Sequence, residues 1–94
     1  MTKIDVIIVT YNGATWIRRN LTSLLESSQL PHVIVVDNAS TDETAQIVRD
    51  EFPEVELIAL QTNSGFGIGN NVGISRSITR GADYTFLFNQ DAYV

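Results

Sequence analysis

Four short apolar runs, separated by segments long enough for amphipathic helices, leave this chain few folds to choose from. The first run, Ile4 to Val9, leads into the loop Thr10-Tyr11-Asn12-Gly13. A helix follows, roughly Ala14 to Ser28, with Ile17, Leu21, Leu24 and Leu25 on one apolar stripe. Val33 to Val36 is an unbroken β-branched run and predicts the second strand. Ser40 with Glu43 three residues on reads as a capping box for a second helix, with Ala45, Val48 and Phe52 on its buried face and Pro53 at its end. Val55 to Leu60 is the third strand. A third helix, starting within Gly67 to Asn71, runs to Arg80 with Gly81 as its stop, and Tyr84 to Phe88 is the fourth strand. The result is an α/β, Rossmann-like βαβαβαβ chain: a mostly parallel sheet with helices on both faces. Strands one and two are apolar throughout, as fully covered strands are, whereas Glu54-Val55-Glu56-Leu57 alternates like an edge. That contrast predicts the order 3-2-1-4, which right-handed crossovers allow.

In such a sheet the ligand crevice lies at the carboxyl ends of the strands, where the order reverses. Here that point is between strands one and four. It brings Thr10, Tyr11 and Asn12 toward Asn89, Gln90 and Asp91, with Asp37 next door. A net charge of −5 argues against a nucleic-acid surface. For a phosphate ligand it also points to a bridging divalent cation. The absence of cysteine excludes disulfides and thiolate metal sites, and one histidine, His32, excludes a His-rich cluster. The apolar run near the N-terminus is too short for a signal peptide or a spanning helix, so the expected compartment is the cytoplasm.

Taken one by one, the chemistry-bearing residues are ambiguous. Asp91 at a strand tip suits Mg²⁺ or Mn²⁺, or a plain turn. Asp37 either caps a loop or accepts hydrogen bonds from a base or ribose. Gly65-Phe66-Gly67-Ile68-Gly69, with Gly73 beyond, either admits a ligand or lets the third helix pack closely on the sheet. Asn70 and Asn71 suit a helix start or a ligand contact. Arg76 and Arg80 are explained by the helix dipole, Trp16 and Phe66 by packing, and His32 by nothing chemical.

Read in series, the motifs resemble the family 2 glycosyltransferases, which have the GT-A fold. Ile7-Ile8-Val9-Thr10-Tyr11-Asn12 looks like the opening strand and loop, Val35-Val36-Asp37-Asn38-Ala39-Ser40-Thr41-Asp42 like the second motif, and Asn63 to Ile74 like the third. Phe86-Leu87-Phe88-Asn89-Gln90-Asp91 occupies the place of the metal-binding D-x-D. The resemblance implies a nucleotide site of Thr10, Tyr11, Asn12, Asp37, Gly67, Asn71, Asn89 and Gln90, with Asp37 on the uracil or thymine ring. It implies Asp91 as the ligand of Mn²⁺ or Mg²⁺. Asn89 stands where the family has its first acidic residue, and Asn70 where many members carry arginine; both recur in the rhamnosyltransferase-like branch. The implied reaction is sugar transfer from a nucleoside-diphosphate sugar, dTDP-rhamnose or a UDP-sugar, to a glycan or lipid-linked acceptor, with inversion. Polysaccharide biosynthesis in the cytoplasm, at the inner face of the membrane with peripheral association, is the implied setting.

Residues 1–94 are then the nucleotide-sugar-binding part of a larger domain. The acceptor half and the general base are expected beyond Val94, and the fragment alone is expected to be inactive. Three rival readings compete: a receiver-type signalling domain, a non-catalytic nucleotide-binding or scaffold domain, and a Rossmann oxidoreductase. The first lacks an acidic pair after strand one, and the last lacks the glycine set in its first loop.

Overall fold

The computed structural model describes residues 2–26 and 31–88. The chain runs β1 (Ile4–Thr10), α1 (Ile17–Leu25), β2 (His32–Asp37), α2 (Thr44–Glu51), β3 (Glu56–Ala59), α3 (Gly65–Arg80) and β4 (Tyr84–Phe88). All pairings are parallel and the order is β3-β2-β1-β4, as the strand composition suggested.

The two central strands are apolar throughout because each of their faces has its own core. Val6, Ile8, Val33 and Val35 pack with Ile17 and Leu21 of α1 and with Ile47 and Val48 of α2. Ile7, Val9, Ile34 and Val36 point the other way, where Val72 and Ile74 of α3 meet them. Each such buried aliphatic side chain contributes about 1.5–3 kcal/mol, so β1 and β2 are the fold's energetic centre. β4 differs. Helices lie on both faces of the sheet, as expected, yet Tyr84, Phe86 and Leu87 are each more than half exposed, so this second edge strand is largely uncovered by the described residues.

The helix boundaries depart from the sequence reading for local reasons. α1 begins at Ile17 rather than Ala14, because Trp16 and Ile17 both donate backbone hydrogen bonds to Gly13 O and close a turn first. The Ser40–Glu43 capping box does not form. The Ser40 hydroxyl is drawn instead to the Asp37 carboxylate at 2.6 Å, a charged acceptor that outcompetes a helix amide. α2 therefore starts at Thr44, and Ile47, absent from the expected buried face, is one of its core residues. α3 starts at Gly65, earlier than expected, which places Asn70 and Asn71 inside the helix rather than at its cap. Its end is as read: Gly81 adopts φ 76° and the Ala82 amide reaches back to Ser77 O.

Arg76 and Arg80 are ion-paired across elements rather than merely complementing a dipole. Arg80 reaches Asp5 at 3.2 Å, and Arg76 reaches Glu56 at 2.5 Å. His32 shares Glu56 through its Nε2 at 2.9 Å, so β2, β3 and α3 meet on one carboxylate. Burial alone would raise the pKa of Glu56; hydrogen bonds from Arg76 and His32 and their charges outweigh it and hold the group below its ordinary 4.5. A folded-state pKa below the unfolded one means that the unfolded chain takes up protons first as pH falls. The latch thus stabilises fully above the ordinary carboxylate value and is lost as pH drops through the folded one. His32, Arg76 and, acting on Arg76, Asp5 are the other charged or titratable groups in this cluster. We expect the stability gap between wild type and Glu56→Gln to shrink steadily on the acid side of about pH 4.5. Urea denaturation at a series of pH values measures it; a gap that stays constant into acid removes Glu56 from the account.

Candidate functional site

The parallel register sets Thr10 directly opposite Asp37 at the last rung of the β1–β2 ladder. Both are buried, and the Thr10 hydroxyl donates to Asp37 Oδ1 at 2.8 Å. The same oxygen accepts the Ser40 hydroxyl, while Oδ2 accepts the Ser40 amide at 3.0 Å. A carboxylate offers about four acceptor sites. Among the described residues, three are used by donors, which leaves one, on Oδ2, for a further donor. Asp37 is thus both the turn-closing residue and a carboxylate with residual acceptor capacity, so the two readings of it are compatible.

Asn12 stitches the first loop to the second. Its amide donates to Ser40 Oγ at 2.8 Å, and its side-chain Oδ1 accepts from the amides of Thr41 and Asp42. This geometry puts Asn12 at φ 50°, a left-handed conformation that asparagine tolerates well. Gly13 continues the seam by donating to Thr44 Oγ1 at 2.9 Å. Asp42 completes it, accepting from Ala14 N and from both the amide and hydroxyl of Thr44. Burial would raise the Asp42 pKa, but these donors hold it below the ordinary carboxylate range.

Tyr11 sits at the crest of the first loop and is about one-third exposed. Gly67 lies in the first turn of α3 with open space where a side chain would begin, and Asn71 is exposed one turn further. Gly69 and Gly73, further along α3, have a different use. A Cβ on Gly69 would fall 2.7 Å from Val9, and one on Gly73 would fall 2.5 Å from Ile7, so these two serve close packing on β1. Phe66 is 54 % exposed, which overturns the expectation that it packs, whereas Trp16 does pack against the core.

The described residues bring together Thr10, Tyr11, Asn12 and Asp37, with the start of α3 alongside. Asn89, Gln90 and Asp91 follow β4 in the sequence and lie outside the described residues. Among the described residues, no group of three His, Cys, Asp or Glu side chains could hold a metal ion. No described helix is long and apolar enough to cross a membrane. Two residues of this neighbourhood escaped the sequence reading. Ser40 reads as a helix cap in the sequence, and Asn38, which is 2 % exposed and hydrogen-bonded to the start of α3, carries no local signal of its own. Their position beside Asp37 was the available signal.

Known proteins give this geometry a context. The model of glycosyl transferase family 2 matches residues 5–94. A dTDP-rhamnosyl transferase, RfbF of Shigella flexneri, is 34 % identical over 97 % of this chain and 30 % of its own length. The crystal structure of Staphylococcus aureus TarS 1–349 in complex with UDP superposes with a TM-score of 0.83 at 31 % identity, covering 96 % of this chain and 28 % of that one. A mannosyltransferase of Pyrobaculum calidifontis in complex with GDP-Man and Mn²⁺ gives a TM-score of 0.67 at 29 % identity, over 79 % of this chain and 24 % of the other. The chain therefore spans under a third of the length of these three proteins.

Proposed function

This chain belongs to glycosyl transferase family 2, and we propose that it forms the donor-nucleotide half of an enzyme that moves a sugar from a nucleoside diphosphate to an acceptor. The observation that carries this reading is the Asp37 carboxylate. Thr10 and Ser40 fix its position, and among the described residues its Oδ2 keeps one acceptor site at the carboxyl edge of the sheet. A fixed acceptor of this kind suits the imide N–H of uracil or thymine, and Tyr11 lies beside it to line the base and ribose. Preorganisation by the chain's own donors means that little ordering cost remains when the nucleotide arrives. Gly67 leaves room for a diphosphate to approach the backbone, with Asn71 and, from the end of the chain, Asn89 and Gln90 as polar contacts.

A divalent cation, Mn²⁺ or Mg²⁺, when bound, screens the diphosphate against this acidic chain and stabilises the departing nucleoside diphosphate. Asp37 is not its ligand in this reading, because Thr10 and Ser40 occupy most of its acceptor sites. The assignment falls to Asp91, whose hard oxygen donor suits such an ion shared with phosphate oxygens. A rhamnosyl donor, a glycan or lipid-linked acceptor, inversion, and a role in polysaccharide biosynthesis on the cytoplasmic side of a membrane are parts of the same proposal. They are assigned to a protein of the relatives' length. For these 94 residues alone we expect no turnover with donor and acceptor.

Titration of UDP and dTDP with and without Mn²⁺ tests the site. The expected result is metal-dependent binding of at least one nucleotide, weakened about tenfold or more by Asp91→Ala. Binding that ignores both the metal and the substitution, or no binding of either nucleotide, defeats the proposal.

A further inference from the structure

Asn38 ties three elements of the carboxyl edge together. Its backbone amide donates to Thr10 O, the last residue of β1, at 2.8 Å. Its side-chain Nδ2 donates to Gly65 O at 3.0 Å, and its Oδ1 accepts from Ser64 N at 3.1 Å. The side-chain amide thus spans the two residues that open α3, accepting from the N–H of Ser64 and donating to the carbonyl of Gly65. Gly69, one turn into α3, faces the same spot: a Cβ there would stand 3.4 Å from Asn38 Nδ2, an ordinary contact, and 2.7 Å from Val9, a clash. Asn38 is buried, and no buried side-chain nitrogen or oxygen lacks a partner among the described residues.

The residue after it shows what this arrangement costs. Ala39 adopts φ 61°, a left-handed conformation with no glycine or asparagine to excuse it. Strain of this kind persists only where the surroundings over-determine it. Here they do so from both sides, since Asn38 is held by β1 and α3 while Ser40 is held by Asp37 and Asn12. Asp37 and Asn38 are adjacent, so the carboxylate and the α3 start are referenced to one short piece of backbone.

We infer that Asn38 is a positioning residue for the nucleotide site: it sets the first turn of α3 relative to the Asp37 carboxylate, and so the spacing between base and diphosphate contacts. The inference rests on the reading of Asp37 and Gly67 as nucleotide contacts given above. A hydrogen bond in each direction fixes rotation as well as distance, which a single contact could not do. Geometry of this kind decides whether a two-ended ligand can engage both ends together.

The test uses Asn38→Leu, which keeps the branched shape without the hydrogen bonds, and Asn38→Ala as a second variant. Two quantities are read in the 94-residue chain: hydrogen exchange at the Ser64 amide, and the Kd for UDP and dTDP with Mn²⁺. In both variants we expect faster Ser64 exchange and a Kd raised about tenfold, since a small misplacement of a binding group is felt strongly. Ile47→Ala, a core truncation on the opposite side of the sheet, is expected to lower the melting temperature at least as much while leaving Kd within about twofold. Unchanged Ser64 exchange removes the grip and overturns the inference. Faster exchange with unchanged Kd overturns it too, by reducing Asn38 to a structural tie. Failure of the unsubstituted chain to bind either nucleotide defeats the site reading and this inference together, and the exchange measurement keeps that outcome distinct from the others.

Discussion

Replacing Arg80 with methionine will destabilise the chain by about 3 kcal/mol, a large part of the stability a domain of this size has to lose. The reason is Asp5, whose side chain is completely buried in β1. Its Oδ2 accepts from Ser77 Oγ at 2.8 Å and from Arg80 Nε at 3.2 Å, and its Oδ1 lies 3.4 Å from Arg80 Nη2. Ser77 in turn contacts Thr85 Oγ1 at 2.6 Å, so the cluster joins β1, α3 and β4. Without Arg80 the carboxylate keeps, among the described residues, one hydroxyl donor and only the charge of Arg76, which forms no ion pair with it. The reverse substitution is milder: Asp5→Asn leaves an arginine that is about one-quarter exposed and can turn to water. We expect it to cost about 1–2 kcal/mol, and the double variant Asp5→Asn/Arg80→Met to lie well below the sum of the singles. Equilibrium denaturation of the four proteins measures the cycle, and strict additivity would show that the pair does not act as one unit.

That cluster also shows where reading the sequence alone ran out. The strand order was legible because it depends on a one-dimensional property. Val33 to Val36 is apolar on both faces and Glu56 to Ala59 is not, which separates a central strand from an edge. Thr10, Tyr11, Asn12 and Asp37 were placed together for a related reason, since carboxyl ends of neighbouring parallel strands share an edge whatever the side chains do. Side-chain pairing across elements was not legible. Asp5 and Arg80 are separated by 75 residues, and no local pattern marks a buried aspartate in an apolar run. Ser40 satisfied a local capping rule, but a carboxylate two residues before Ala39 offered a stronger acceptor once the strained turn formed. Asn38 is illegible for the opposite reason: it has no local rule to satisfy, and both partners of its side chain, Ser64 and Gly65, lie at the distant start of α3.

The glycines of α3 make the sharpest test of how this fold was assembled, because the same substitution should change sign within one helix. Gly69, Gly73 and Ser77 recur every fourth residue and so fall on one face. On β1 their neighbours are Val9, Ile7 and Asp5, every second residue in the reverse direction. Four helical residues rise about 6.0 Å and two strand residues about 6.6 Å, so the small residues of α3 track one face of β1 over nearly its whole length. At Gly73 a Cβ would meet Ile7 Cγ2 at 2.5 Å, against about 3.5–4 Å for comfortable carbon contact. That methyl is a branch on the Ile7 Cβ and cannot swing away freely, and Val9, Ile34 and Val36 fill the space around it. Alanine gains about 1 kcal/mol of helix propensity over glycine, yet lifting α3 off β1 costs about 1–3, so Gly73→Ala should be net destabilising. Gly73→Val, with two more methyls and little propensity gain, should cost about 3 kcal/mol. Gly67→Ala meets nothing within 4 Å and should instead stabilise by about 0.4–1 kcal/mol. Urea denaturation of the three variants decides it. If Gly73→Ala stabilises as much as Gly67→Ala, α3 does not ride on β1 through its glycines, and the close approach that sets the first turn of α3 beside Asn38 goes with it.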